Sequence, residues 1–116
     1  MRLILDIDPA GPANKALFLL MESGNRIRIS ECRTGTHSGH PYHGGADLTW
    51  SVGAQLLQQS ETKELFVALY EMESGPMGRM QKDRYFRMED AHSQEPEFIE
   101  IGASDCPSGL IVVNQL

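Results

Sequence analysis

The chemistry-bearing residues of this chain are concentrated between Cys32 and Asp47. His37, His40 and His43 recur every three residues there, beside Cys32 and four glycines. Neutral imidazole and thiolate are ligands for zinc and its neighbours. Cys32, His37, His40 and His43 could supply four donors, with Asp47 as a spare carboxylate. The order C-x4-H-x2-H-x2-H is not that of the common zinc modules, in which ligands come from two places in the chain. Distant candidates are His92 and Cys106. The backbone offers a second chemistry. Gly44-Gly45-Ala46, placed before a helix start, would expose successive amides to an anion. This reading makes His37, His40, His43, Gly44, Gly45 and Asp47 the ligand-binding set for an anionic small molecule or nucleotide. The zinc alternative takes His37, His40 and His43 as metal ligands. A plain surface loop, its histidines bonded to backbone or water, is the third reading.

One segment resembles a known family. Ser38-Gly-His40-x6-Asp47 is similar to part of the S-x-H-x-x-G-x-A-x-D pattern of the D-Ala-D-Ala-type zinc peptidases. The resemblance implies zinc held by His40 and Asp47. His43 stands where that family has glycine and Gly45 where it has alanine, and the family's later glutamate and Trp-His segment are absent. Tyr42-His43-Gly44 is similar, over three residues, to a motif of some ADP-ribosyltransferases.

Charge points to a partner instead of a cofactor. The net charge of −6 argues against binding double-stranded nucleic acid, which calls for a basic face. Residues 89–105 carry six acids and no Lys or Arg, while the other ten acids balance the ten bases. The acidity is therefore local. It is either a solvated face or a docking surface, carried by Glu95, Glu97 and Glu100, for a protein partner with a basic surface.

A catalytic assignment finds less support. Cys106 and Cys32 offer thiols, and Arg33 beside Cys32 would lower its pKa, but no base can be paired with either. Asp6 and Asp8 share one strand face and read as its exposed side.

Hydrophobic patterning supplies the elements that must position these groups. Residues 2–8 and 26–31 alternate as strands. The run Ala16–Met21 followed by Glu22-Ser-Gly-Asn25 predicts a hairpin into residues 26–31, with Gly24 or Asn25 at positive φ. Met21-Glu-Ser-Gly24 recurs as Met72-Glu-Ser-Gly75, which suggests a second turn of the same kind. Residues 48–59 fit a helix capped by Asp47, although Leu48, Trp50, Val52, Ala54 and Leu56 also alternate. Residues 64–72 are apolar on both faces, as a central strand is. A Gly- and Met-rich loop is expected over 73–82, and strands over 84–88, 97–101 and 110–113.

The expected fold is α+β: one compact domain, a mostly antiparallel sheet of six to seven strands with one helix. No apolar run approaches the ~20 residues that span a bilayer. No secretory leader is evident and the cysteines are few, so a cytoplasmic protein with free thiols is expected. The function expected is that of a small acidic binding protein that inhibits a protein partner, of the toxin-immunity or phage anti-defence type. A homo-oligomer is left open.

Overall fold

A computed structural model describes residues 1–11, 15–38, 46–89 and 95–116. Among the described residues, nine strands form two antiparallel sheets. Strands β1 (Arg2–Ile7), β2 (Lys15–Leu20) and β3 (Arg26–Cys32) form the smaller sheet in chain order. The larger one runs β4 (Gly35–His37), β5 (Leu48–Gln59), β6 (Leu65–Gly75), β7 (Gly78–Glu89) and β8 (Glu97–Ile101), and β9 (Leu110–Gln115) pairs with the later half of β5.

The expected helix over 48–59 is absent, and the fold is mostly β instead of α+β. Those residues form β5, which pairs with β6 from Thr49 to Gln58. Of the two periods in this segment, the period of two prevails. It buries Leu48, Ala54 and Leu56 on one face, where a ready partner strand satisfies every other backbone group. Gly53, weak in a helix, costs less in a strand flanked by partners. The only helical turn among the described residues is the short 3-10 turn Ala103–Asp105 in the connection from β8 to β9.

The first hairpin forms as its sequence suggests. Gly24 adopts φ +93°, and its amide donates to Met21 O. The second Met-Glu-Ser-Gly does not repeat that turn. Met72 to Gly75 continue β6, held on one side by β5 and on the other by β7. The reversal falls at Pro76-Met77, between the partnered Gly75 and Gly78, with Gly78 at φ +111°. The loop expected over 73–82 is therefore the far end of a long hairpin. An identical tetrapeptide takes two structures because strand pairing outweighs local turn preference.

One core lies between the sheets. Leu3, Leu17, Leu19, Ile27 and Ile29 from the smaller sheet meet Ala54, Leu56, Leu65, Val67, Leu69, Phe86 and Met88 from the larger. The smaller sheet's outer face is closed differently. Phe18 is buried beneath the Arg26 guanidinium, 5.8 Å from the ring centroid. Arg26 pairs with Asp6 at 2.8 Å, and Arg28 takes both oxygens of Asp8 at 3.2 and 2.7 Å. Asp6 and Asp8 do share a face, but Asp8 is 1% exposed instead of solvated. Its hydrogen bonds from Arg28, foremost, and from the Ala10 amide hold its carboxyl below the ordinary carboxylate value, against the opposing effect of burial.

Among the described residues, no helix is long and apolar enough to cross a membrane.

Leu69 is fully buried beside Ala54 and Arg84. Leu69→Ala should cost about 2–5 kcal/mol. Urea unfolding checks this, with the midpoint falling and the slope unchanged.

Candidate functional site

The inner face of the larger sheet changes character along its length. Register aligns Leu56, Val67 and Phe86 in one row, then Ala54, Leu69 and Arg84 in the next. The third row is Val52, Glu71 and Lys82, and the fourth is Trp50, Glu73 and Met80. The first rows are core. The smaller sheet stops covering the face near Arg84, and the remaining rows floor an open cleft.

Two adjoining hollows make up this cleft. One, of about 310 Å³, is lined chiefly by Arg33, Trp50, Glu71, Glu73, Met80 and Lys82. The other, of about 330 Å³, is lined by Ser30, Glu31, Cys32, Arg33, Glu71 and Arg84. They share Arg33, on the step from β3 to β4, and Glu71, on β6, as lining residues.

Its side chains are fixed by one another. The Trp50 indole N–H donates to Glu73 Oε2 at 3.1 Å, and the Arg33 guanidinium lies 5.7 Å from the indole centroid. His37, on β4, meets the same indole edge-on at 6.3 Å. Arg84 closes the inner end. It donates to Ser30 Oγ at 3.0 Å, to Glu71 Oε1 at 3.1 Å, and through Nε and Nη2 to both Glu100 oxygens at 3.1 and 2.8 Å. Its guanidinium also sits 5.2 Å from the Phe86 ring centroid. Glu100 first, and Glu71 after it, raise the Arg84 pKa above the ordinary arginine value, although burial works against the charge. Arg84 in return holds the Glu100 carboxyl below its usual value.

Cys32 borders this region as a buried thiol. It is 1% exposed, and burial, joined by the charge of Glu71, pushes its thiol up to about 11. The lowering expected from Arg33 is not what acts here; the Leu17 backbone hydrogen bond and the charges of Arg84 and Arg28 lower the thiol pKa, and desolvation, which penalises the thiolate, outweighs them. Both cysteines are free.

Of the histidine-loop residues, His37 lies at the edge of the cleft against Trp50, and Asp47 immediately precedes β5. His40, His43, Gly44 and Gly45 lie outside the described residues, as does His92. No helix follows Ala46, so the amide nest has no helix N-terminus behind it. Among the described residues, no group of three or more His, Cys, Asp or Glu side chains is placed to hold a metal ion.

The acidic run is partly neutralised within the chain. Glu100 belongs to the Arg84 network, and Glu89 pairs with Arg87 at 2.6 Å. Glu97 stands opposite Glu89 in the β7–β8 register, and strand alternation puts Glu97 and Glu100 on opposite faces. Glu95 precedes β8 and is exposed. Sequence reasoning missed the Arg33–Trp50–Glu73 cleft. Its one local sign was the switch on β6 from Leu65, Val67 and Leu69 to Glu71 and Glu73 at the same period.

Comparison with known proteins found no matching family model, no matching curated protein and no matching solved structure.

Glu100 offers a direct check on the Arg84 network. A carboxyl whose folded pKa is depressed contributes stability above its unfolded value, here the usual 4.5, and loses it as pH falls through the folded pKa. Glu100→Gln should lower stability at neutral pH by about 0.5–1 kcal/mol, the scale of a half-exposed pair. It should also flatten the acid side of the stability profile below the usual glutamate value. Thermal melts of both proteins across pH measure the two effects together.

Proposed function

We propose that this protein is a non-enzymatic binding protein whose recognition surface is the Arg33–Trp50 cleft, and that its occupant is a basic segment of a protein partner. The observation that carries this reading is the pairing inside the cleft. Trp50 is a rigid aromatic anchor stacked on one side by Arg33 and bonded at its edge to Glu73. Aromatic anchors set in preformed hollows are the usual centres of binding energy. Glu73 is half-buried, and its carboxylate retains acceptor capacity for a Lys or Arg. Nucleophilic chemistry has little support, since the cleft's thiol is buried and its pKa is raised to about 11 by burial and by the charge of Glu71.

The net charge of −6, concentrated in residues 89–105, favours a basic partner by steering its approach. An inhibitor of the toxin-immunity or phage anti-defence type, covering a basic surface of its target, fits this combination. A second reading, a small anionic ligand held by the histidine loop, has one observation in its favour. His37 brings the described end of that loop against Trp50.

Trp50 is the chain's single tryptophan, so its fluorescence reports the cleft without a label. Titration with short Lys- and Arg-rich peptides should shift its emission, and acidic peptides and mononucleotides should not. Glu73→Gln should weaken the basic-peptide affinity about tenfold, equivalent to about 1.4 kcal/mol. A response to mononucleotides but not to basic peptides would support the second reading and refute the first.

A further inference from the structure

A sheet edge displays unpaired backbone groups, and folded proteins blunt such edges with charge, proline, shortness or cover. Most edges here are blunted. β4 has three residues. β8 carries Glu97 and Glu100. β3 carries Arg26, Arg28 and Glu31. On β1, the Leu3 amide is capped by Asn114 Oδ1 at 2.8 Å, and Asp6 stands further along.

β9 differs. Among the described strands it pairs with β5 only, and residues 110–116 contain no charged residue and no proline. Ile111, Val112 and Val113 are 53%, 52% and 45% exposed, and Leu116 is 41% exposed. A segment of seven residues thus holds four of the nine large hydrophobic side chains exposed among the described residues. Among the described residues, the outer backbone groups of its first half also meet no further strand. Ser60 N donates to Gly109 O, which marks that pair as hydrogen-bonded across β5 and β9. Alternation then turns the amides and carbonyls of Leu110 and Val112 outward. The register shift opposite Leu56 and Leu57 bulges the strand at Val113 and limits the regular edge to the residues before it.

We propose that β9 is a homodimerisation edge, at which two copies of this chain pair antiparallel through Leu110–Val112 about a two-fold axis. Charge selects the occupant. A chain of net −6 repels its own copy over most of its surface, and β9 is the edge where copies meet without opposing like charges. A basic partner would find no carboxylate on this strand to pair with. A two-fold axis requires a patch complementary to itself, and an uncharged, β-branched strand laid antiparallel on its own copy meets that requirement. The pairing also prolongs an existing apolar row. Val112 is in register with Leu57, and Leu57 with Phe66, and a two-fold axis at Ile111 would set Val112 of one copy opposite Leu110 of the other at the row's end.

Size-exclusion chromatography with light scattering tests this over a concentration series. The wild-type protein should approach twice the chain mass of 12.9 kDa as concentration rises, and Val112→Lys should stay at the chain mass with an unchanged circular dichroism spectrum. Since Val112→Lys could itself disturb the β5 pairing, hydrogen exchange on the wild type supplies a second readout. The Leu110 and Val112 amides should be protected at high concentration and exchange faster on dilution. A wild-type protein monomeric throughout overturns the proposal, including one that takes up another protein's strand instead. So does a dimer that leaves those two amides unprotected.

Discussion

Everything in this structure is arranged around where the dry space between its two sheets ends, and Arg84 is the residue that ends it. Its guanidinium reaches both sheets at once, touching Ser30 of the smaller one and Glu71 and Glu100 of the larger, while its planar face rests near Phe86. Arginine suits the position because its fork can address several acceptors in one plane and its face tolerates an aromatic ring. A lysine would provide a point charge and leave some of these acceptors unmet. The arrangement satisfies half-buried charges that would otherwise carry a desolvation penalty.

The cleft follows from that boundary. Three strands of the larger sheet, β5, β6 and β7, run eleven or twelve residues, whereas those of the smaller sheet run six or seven. A long sheet covered by a short one leaves part of its inner face open. The side chains there cannot be core, and they are polar or amphipathic: Glu71, Lys82, Glu73, Met80 and Trp50. Because they stand on paired strands instead of loops, this surface is preorganised, and the ordering cost of binding at the proposed site would be low. The twist from β3 into β4 then lays Arg33 against Trp50 and gives the cleft its wall.

Much of the architecture was legible wherever one face of a strand is buried. The strand over residues 2–7, the alternation in residues 26–31, the turn at Gly24, and the doubly apolar middle of β6 read correctly, but the end of the first strand did not, since Ile7 is 72% exposed and Asp8 1%. What misled was competition between two periods in one segment. Leu48, Val52 and Leu56 satisfy a helix as well as a strand, and only the presence of β6 beside them decides. The outer half of β7 gave no signal for a different reason. Residues 78–83 are exposed, so no hydrophobic pattern marks them as a strand. The site was still harder to see, because Arg33, Trp50, Glu73 and Lys82 come from four separate segments and none belongs to a motif. The histidine cluster drew attention by residue type, yet of its imidazoles only His37 is among the described residues, and it serves as an edge contact to Trp50.

The sealing role of Arg84 can be measured through the buried thiol of Cys32, which borders the same hollow. Cys32 is 1% exposed, belongs to the core between the sheets, and borders the hollow that Ser30 and Arg84 also line. In a Cys106→Ser background, the rate at which a soluble disulfide reagent modifies Cys32 reports access to that space under native conditions. Cys32 should react only at the rate of global unfolding when Arg84 is present. Arg84→Ala should speed the reaction at a denaturant concentration where both proteins remain folded. Fast reaction with Arg84 in place, or equal protection without it, would contradict the claim that this one side chain divides core from cleft.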